Sequence, residues 1–201
     1  MGALAQTAVK LAVDAAVSSN LAASQQVYAQ EQQVDAEEVE IEKQAINLLA
    51  LHQPAGGDLR TIFAIVKING DLERIADCAV NIAQQVGPLS ASGLEFPRDL
   101  KVMAEAMLKQ LDDTLSSLAN KDTALAVQVS RGDDMIDALY NQLLQEFPRA
   151  MAADPANVPG YLALIMIARN LERIGDHCTN IAEDVVYRMQ GRIVRHTHDP
   201  R

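Results

Sequence analysis

Two stretches of the chain are near-copies of each other: DLERIADCAVNIA at 71–83 and NLERIGDHCTNIA at 170–182, displaced by 99 residues. A second pair, EQQVD at 31–35 and DDMID at 133–137, is displaced by 102 residues. Separate motifs carried over a nearly constant displacement imply a tandem repeat of about 100 residues, in which each secondary-structure element has to occur twice. The longer motif also fixes what kind of element it lies on. Apolar residues recur at Ile65, Ile68, Leu72, Ile75, Ala79, Ile82 and Val86, and again at Leu164, Ile167, Leu171, Ile174, Cys178, Ile181 and Val185. Steps of three and four throughout describe the buried seam of a helix in a bundle.

Composition supports the same reading. Apolar residues make up 49% of the 201, but aromatics only 3% and there is no Trp, so the core has to be built from Leu, Ile, Val, Ala and Met. Such chains favour helix over strand. Breaks occur at Pro54 with Gly56 and Gly57, at Gly87-Pro88 through Gly93 to Pro97, and at Pro155 with Pro159 and Gly160. They predict helices near 3–19, 21–52, 58–86, 97–120, 122–153 and 158–190, with 87–96 as the linker. Pro148 is expected to kink or shorten the fifth. Three helices with short connections make an up-down-up bundle. The expected fold is all-α: two pseudo-symmetric tandem three-helix bundles, residues 1–90 and 91–201.

Several function classes drop out. The net charge of −10 argues against a nucleic-acid binder or a polybasic membrane-surface protein. The longest apolar run, Tyr161–Ala168, is far short of a membrane span, so no membrane insertion is expected. The first twenty residues carry one Lys and an internal Asp14, unlike a signal peptide. Two cysteines, Cys78 and Cys178, both on apolar stripes, read as core thiols; together these features point to the cytoplasm. No Gly-rich phosphate loop, GxSxG, Glu-x-x-His or Cys/His dyad occurs, so an enzyme is not expected.

What stands out instead is paired acid. Each repeat carries two carboxylate pairs at i,i+4: Glu31/Asp35 and Glu73/Asp77 in the first, Asp133/Asp137 and Glu172/Asp176 in the second. Residues four apart share a helix face, and like charges there oppose helix stability. If the second and third helices of a repeat face their pairs toward each other, four carboxylates converge into an oxygen-rich site for a hard or borderline cation. Asn81 and Asn180 extend the stripe by four residues, and Arg74 and Arg173 are alternative salt-bridge partners for the acids. Glu37, Glu38, Glu40 and Glu42 read as solvent-facing charge. Among the histidines, His52 is expected to face a helix C-terminal dipole, His177 is a weak ligand candidate, and His196 and His198 lie in a polar tail.

These residues carry a resemblance. LLALHQPAGGDLRTIFAIVKINGDLERIADCAVNIA at 48–83 and ARNLERIGDHCTNIAEDVVYRMQGRIVRH at 168–196 resemble the two signature regions of the PhoU family of bacterial phosphate-signalling regulators. Against the family pattern, Glu31 stands where Asp is common, Ala76 where Gly is usual, His52 where Arg is frequent, and Asn20 where Asp is often found, matching Asp122 in the second repeat. The resemblance implies a non-enzymatic cytoplasmic regulator that acts with the ATPase of the phosphate ABC transporter and with a membrane sensor histidine kinase. It would restrain phosphate uptake and starvation signalling. It also implies that the eight paired carboxylates hold divalent or trivalent metal, chiefly multinuclear iron, with Zn, Mn, Mg or Ni as other occupants. A homodimer is expected, since such bundles often dimerise. The rival readings are a metal-free helical scaffold with the acids paired to Arg, and a carboxylate-bridged metalloenzyme.

Overall fold

The computed structural model describes residues 1–131 and 133–191, and of Arg131 and Asp133 the backbone only. Among the described residues the α-helical segments are α1 Gly2–Ser18, α2 Leu21–His52, α3 Gly57–Ser92, α4 Arg98–Asn120, α5 Thr123–Arg131, α6 Asp133–Ala153 and α7 Val158–Gln190, with a short 3-10 turn at Pro155–Asn157. No strand occurs among the described residues. The chain folds as an all-α two-repeat helical bundle in which α1–α3 answer to α4–α7.

The repeat is visible in how the helices stop and start. Both α1 and α4 end on a residue in the left-handed region, Ser19 at φ 51° and Lys121 at φ 57°. The next residue then turns its amide back into the finished helix: Asn20 N–H donates to the Ala15 carbonyl and Asp122 N–H to the Ser117 carbonyl, each at 2.9 Å. The same two residues cap the following helix. Asn20 Oδ1 accepts from the Ala23 amide at 3.1 Å, and Asp122 Oδ1 accepts from the amides of Ala124 and Leu125 at 2.9 and 3.0 Å. Short polar side chains are favoured at such positions because they satisfy amides that have no partner inside the helix. Glycines in the left-handed region, Gly93 and Gly191, end α3 and α7.

One proline behaves differently from expectation. The third helix does not end at 86 but runs through Pro88 to Ser92, so the linker shrinks to residues 93–97 and the 90/91 boundary falls in the last turn of α3. Leu89, fully buried just past the proline, holds that turn to the core. Pro148 lies inside α6, which runs to the expected end at Ala153, beside Phe147, whose buried ring packs 6.4 Å from that of Tyr161. The expected helix at 122–153 corresponds to α5 and α6 together, described on either side of residue 132, and ends at Ala153 as expected.

The most extensive helix contact in the molecule is between α3 and α7. Ile75, Ala79, Ile82 and Val86 of α3 and Leu171, Ile174, Cys178 and Ile181 of α7 are essentially inaccessible to solvent. One expected member of that seam, Ile65, is 38% exposed, while its neighbour Ala64 is fully buried. Polar bridges join the pair: Lys67 Nζ of α3 pairs with the buried Asp184 of α7, and Asp71 Oδ1 of α3 lies 2.9 Å from His177 Nδ1 of α7. On the outside, α1 packs on α2 and α3, and α4 packs on α5, α6 and α7. Replacing either cap, Asn20→Ala or Asp122→Ala, is expected to lower the unfolding free energy by about 1 kcal/mol. Urea unfolding followed by circular dichroism measures it, and unchanged midpoints would show that these caps do not hold the inter-helix turns.

Candidate functional site

Helices α2 and α3 run antiparallel across the short Gln53–Gly56 connection. Their register is set by Asn69 Nδ2, which donates to the Glu38 carbonyl at 3.0 Å. With that register the two acidic pairs do face each other. Both Asp35 and Asp77 act on Glu31 and on Glu38, and Asp35, Glu38 and Asp77 act on Glu73. The cluster is also larger than expected. Positions 31, 35, 38 and 42 step by four, three and four, which is one face of a helix, so Glu38 belongs to the site and not to a solvent-facing run. Its spacing from Asp35 was the available signal.

Crowding shows in the carboxyls themselves. Partial burial pushes Glu31 above the ordinary Glu value of 4.5, helped by the charges of Asp35 and Asp77. Glu38 is raised first by burial and then by Glu42, Asp35 and Asp77. Glu73 is raised by burial, Asp77 and Glu38, with Arg74 opposing. Each shift has the sign expected when the ionised form is both desolvated and surrounded by like charge.

The second repeat has a thinner version. Burial and the Asp137 charge raise Asp176, with His177 and Arg173 opposing, so Asp137 of α6 and Asp176 of α7 face one another. Glu172 is half-buried on α7. The Asp133 side chain and the tail histidines His196 and His198 lie outside the described residues. At the displacement of 102, Tyr140 stands where the first repeat has Glu38, and Leu144 where it has Glu42. Asn180 does not simply extend the acid stripe: its Nδ2 donates to Asp71 Oδ1 at 3.4 Å, beside the His177 contact, so both residues serve the α3–α7 seam. Asn81 is half-buried on α3. Both cysteines are buried and free, and burial pushes the Cys78 thiol up to about 11, which keeps it protonated.

The donor set, carboxylate oxygens with nearby amides, suits a hard or borderline cation. As placed, however, no three His, Cys, Asp or Glu side chains among the described residues come close enough to hold one ion. The carboxylates act on one another as like charges, and a cation between them would reverse the sign of that interaction. The arrangement gathers carboxylate oxygens along one face without closing them into a cage.

The raised carboxyls carry a pH dependence. Below the ordinary value of 4.5 both the folded and unfolded forms of Glu31, Glu38 and Glu73 are protonated and the groups are neutral in effect. As pH rises from there through the higher folded values, the folded protein binds more protons than the unfolded one, so these groups lower stability. Removing the charge with Glu31→Gln and Glu73→Gln is therefore expected to raise the urea midpoint at pH 7 and to leave it nearly unchanged at pH 4. A fall at pH 7 would mean that the carboxylates are stabilised as charges.

Comparison with known proteins identifies the fold. The PhoU domain matches residues 1–86 and 100–185. The phosphate-specific transport system accessory protein PhoU homolog of Rhizobium meliloti is 38% identical over 193 residues, covering 95% of this chain and 81% of that protein. The homolog so named from Pseudomonas aeruginosa is 36% identical over 199 residues, covering 98% and 82%. The crystal structure of PhoU from Pseudomonas aeruginosa superposes with a TM-score of 0.91 at 35% identity, covering 96% of this chain and 93% of that one. That of the phosphate transport system regulatory protein PhoU from Streptococcus pneumoniae gives 0.88 at 27% identity, covering 96% and 91%. With its tandem LERI helices, its outward acidic pairs and these matches along nearly its whole length, the chain belongs to the PhoU family.

Proposed function

We propose that this chain is a cytoplasmic, non-enzymatic regulator of phosphate homeostasis. It negatively modulates phosphate uptake and starvation signalling by linking the ATPase of a phosphate ABC transporter to a membrane sensor histidine kinase. The observation that carries the reading is family membership over both repeats, since the relatives are named as accessory proteins of phosphate-specific transport. Among the described residues no single helix is long and apolar enough to cross a membrane. Contact with membrane partners would therefore be through surfaces, and a homodimer is the assembly we favour.

In this reading the acidic faces take metal. Glu31, Asp35, Glu73 and Asp77 would hold it in the first repeat, with Glu38 beside them, and Asp133, Asp137, Glu172 and Asp176 in the second. Multinuclear iron is the favoured occupant, with Zn, Mn, Mg or Ni as alternatives. When bound, the metal supplies positive charge that neutralises the two faces. Asn81 and Asn180 would support the site, while Arg74 and Arg173 already offset part of the charge on Glu73 and Asp176. That partial compensation, with the absence of a closed ligand set among the described residues, favours a second reading as a metal-free scaffold.

The regulatory role is tested in a host deleted for its own PhoU-type protein and grown in excess phosphate. Expression of this chain is expected to return a phosphate-starvation reporter toward its repressed level. The variant with Glu73, Asp77, Glu172 and Asp176 replaced by Asn is expected to do so less well. A reporter unaffected by folded wild-type protein would contradict the role. Equal repression by both proteins would contradict the part assigned to the acidic faces.

A further inference from the structure

The face of α2 and α3 that carries the acids continues past them. Counting outward from the bond between Asn69 and Glu38 brings Ile46 and Leu49 of α2 to the level of Leu59 and Phe63 of α3. Ile46 and Leu49 continue the row of Asp35, Glu38 and Glu42 in steps of four and three, and Leu59 and Phe63 lie on the row that leads to Glu73 and Asp77. These apolar side chains are open to solvent: Ile46 is 64% exposed, Phe63 58% and Leu59 46%. Met1, which precedes α1, lines a small void with Ile41, Ile65 and Leu72, none of which belongs to this patch. Nor is the patch a general property of the repeat. The second copy has Pro148 at the place of Ile46 and Leu144 at the place of Glu42.

We propose that this end of the first repeat docks a basic amphipathic helix of another protein. Its apolar side would rest on Ile46, Leu49, Leu59 and Phe63, and its Lys or Arg residues would lie along Glu38, Glu42, Glu73 and Asp77. Helices bind to exposed apolar surfaces through anchors spaced three and four apart, and complementary charge supplies orientation and partner choice. Charge decides among the occupants. A second copy would set the same acidic stripe against itself, in a chain already at −10, and an anionic bilayer would be repelled. The Phe63 ring already has a cation above it, Lys67 Nζ at 5.9 Å from its centroid. The inference uses the same face as the proposed function but depends on neither metal nor transporter.

Full-length, metal-free protein is titrated with a labelled synthetic Leu/Lys amphipathic helix, with its Leu/Glu counterpart, and with phosphatidylserine-containing vesicles, and binding is read by fluorescence anisotropy. Saturable binding of the Leu/Lys peptide is expected, weakened about tenfold by Phe63→Ser or Ile46→Ser. Glu38→Gln with Glu42→Gln, and raised salt, should weaken it as well. Leu162→Ser, at the matching place of Phe63 in the second repeat, should leave it unchanged. Circular dichroism melting confirms that each variant is folded, and the salt dependence of the wild type stands without any variant. The proposal is overturned by absent binding, by equal binding of the Leu/Glu peptide, or by indifference to Phe63→Ser. Vesicle binding in place of peptide, or self-association that Phe63→Ser abolishes, overturns it too. Failure here leaves the reporter result standing, and failure of the reporter leaves this binding standing.

Discussion

When α3 and α7 bury their seams against each other, the remaining helices inherit their positions. The two helices carry the largest solvent-free stripes in the chain, and each is also the helix onto which the rest of its own repeat packs. Burial supplies the driving force, and the polar bridges between Lys67 and Asp184 and between Asp71 and His177 specify how the helices lie along each other. Breaking one partner of such a bridge would leave a charge in the seam, which a well-packed interior tolerates poorly. The two repeats therefore share one core, and neither presents a seam of its own to water.

That seam also explains where the acid goes. In LERI the Leu and Ile turn inward, as Leu72, Ile75, Leu171 and Ile174 do, so Glu73, Asp77, Glu172 and Asp176 are carried beside the seam, partly exposed. Helix α2 then brings Glu31, Asp35 and Glu38 against the first pair. Like charges gathered at a helix junction oppose folding, and the upward shifts of Glu31, Glu38 and Glu73 express that opposition. A bound cation and a docked basic helix would relieve the same repulsion. A face of this kind favours positively charged partners without needing a deep pocket.

Much of this was legible in the residues. The tandem repeat, the periodic seams and the matched Asn20 and Asp122 announce two copies of a helical unit, and the bounds of α2, α4 and α7 fall within a residue or so of those expected. The carboxylate pairs were legible because each lies within one helix. Legibility failed where tertiary contact overrides local rule. Pro88 reads as a helix stop, but burial of Leu89 beyond it keeps the helix going. Asn180 reads as an extension of the acid stripe and His177 as a weak ligand candidate, but only the packing of α7 on α3 reveals Asp71 as the partner of both. Glu38 was obscured by its neighbours in a run of acids, although its spacing from Asp35 and Glu31 places it in the stripe.

The claim most exposed to test is that the acidic faces are repulsive as folded and accept cations. The direct measurement is the thermal midpoint of chelator-stripped protein with and without added Fe, Mn or Zn ions, beside the variant with Glu73, Asp77, Glu172 and Asp176 changed to Asn. A ligand that binds only the folded state at about 100 times its dissociation constant adds about 2.7 kcal/mol of stability. The account predicts that metal raises the wild-type midpoint and that the variant, already relieved of charge, shows little further rise. No shift in the wild type, or an equal shift in both proteins, would contradict it.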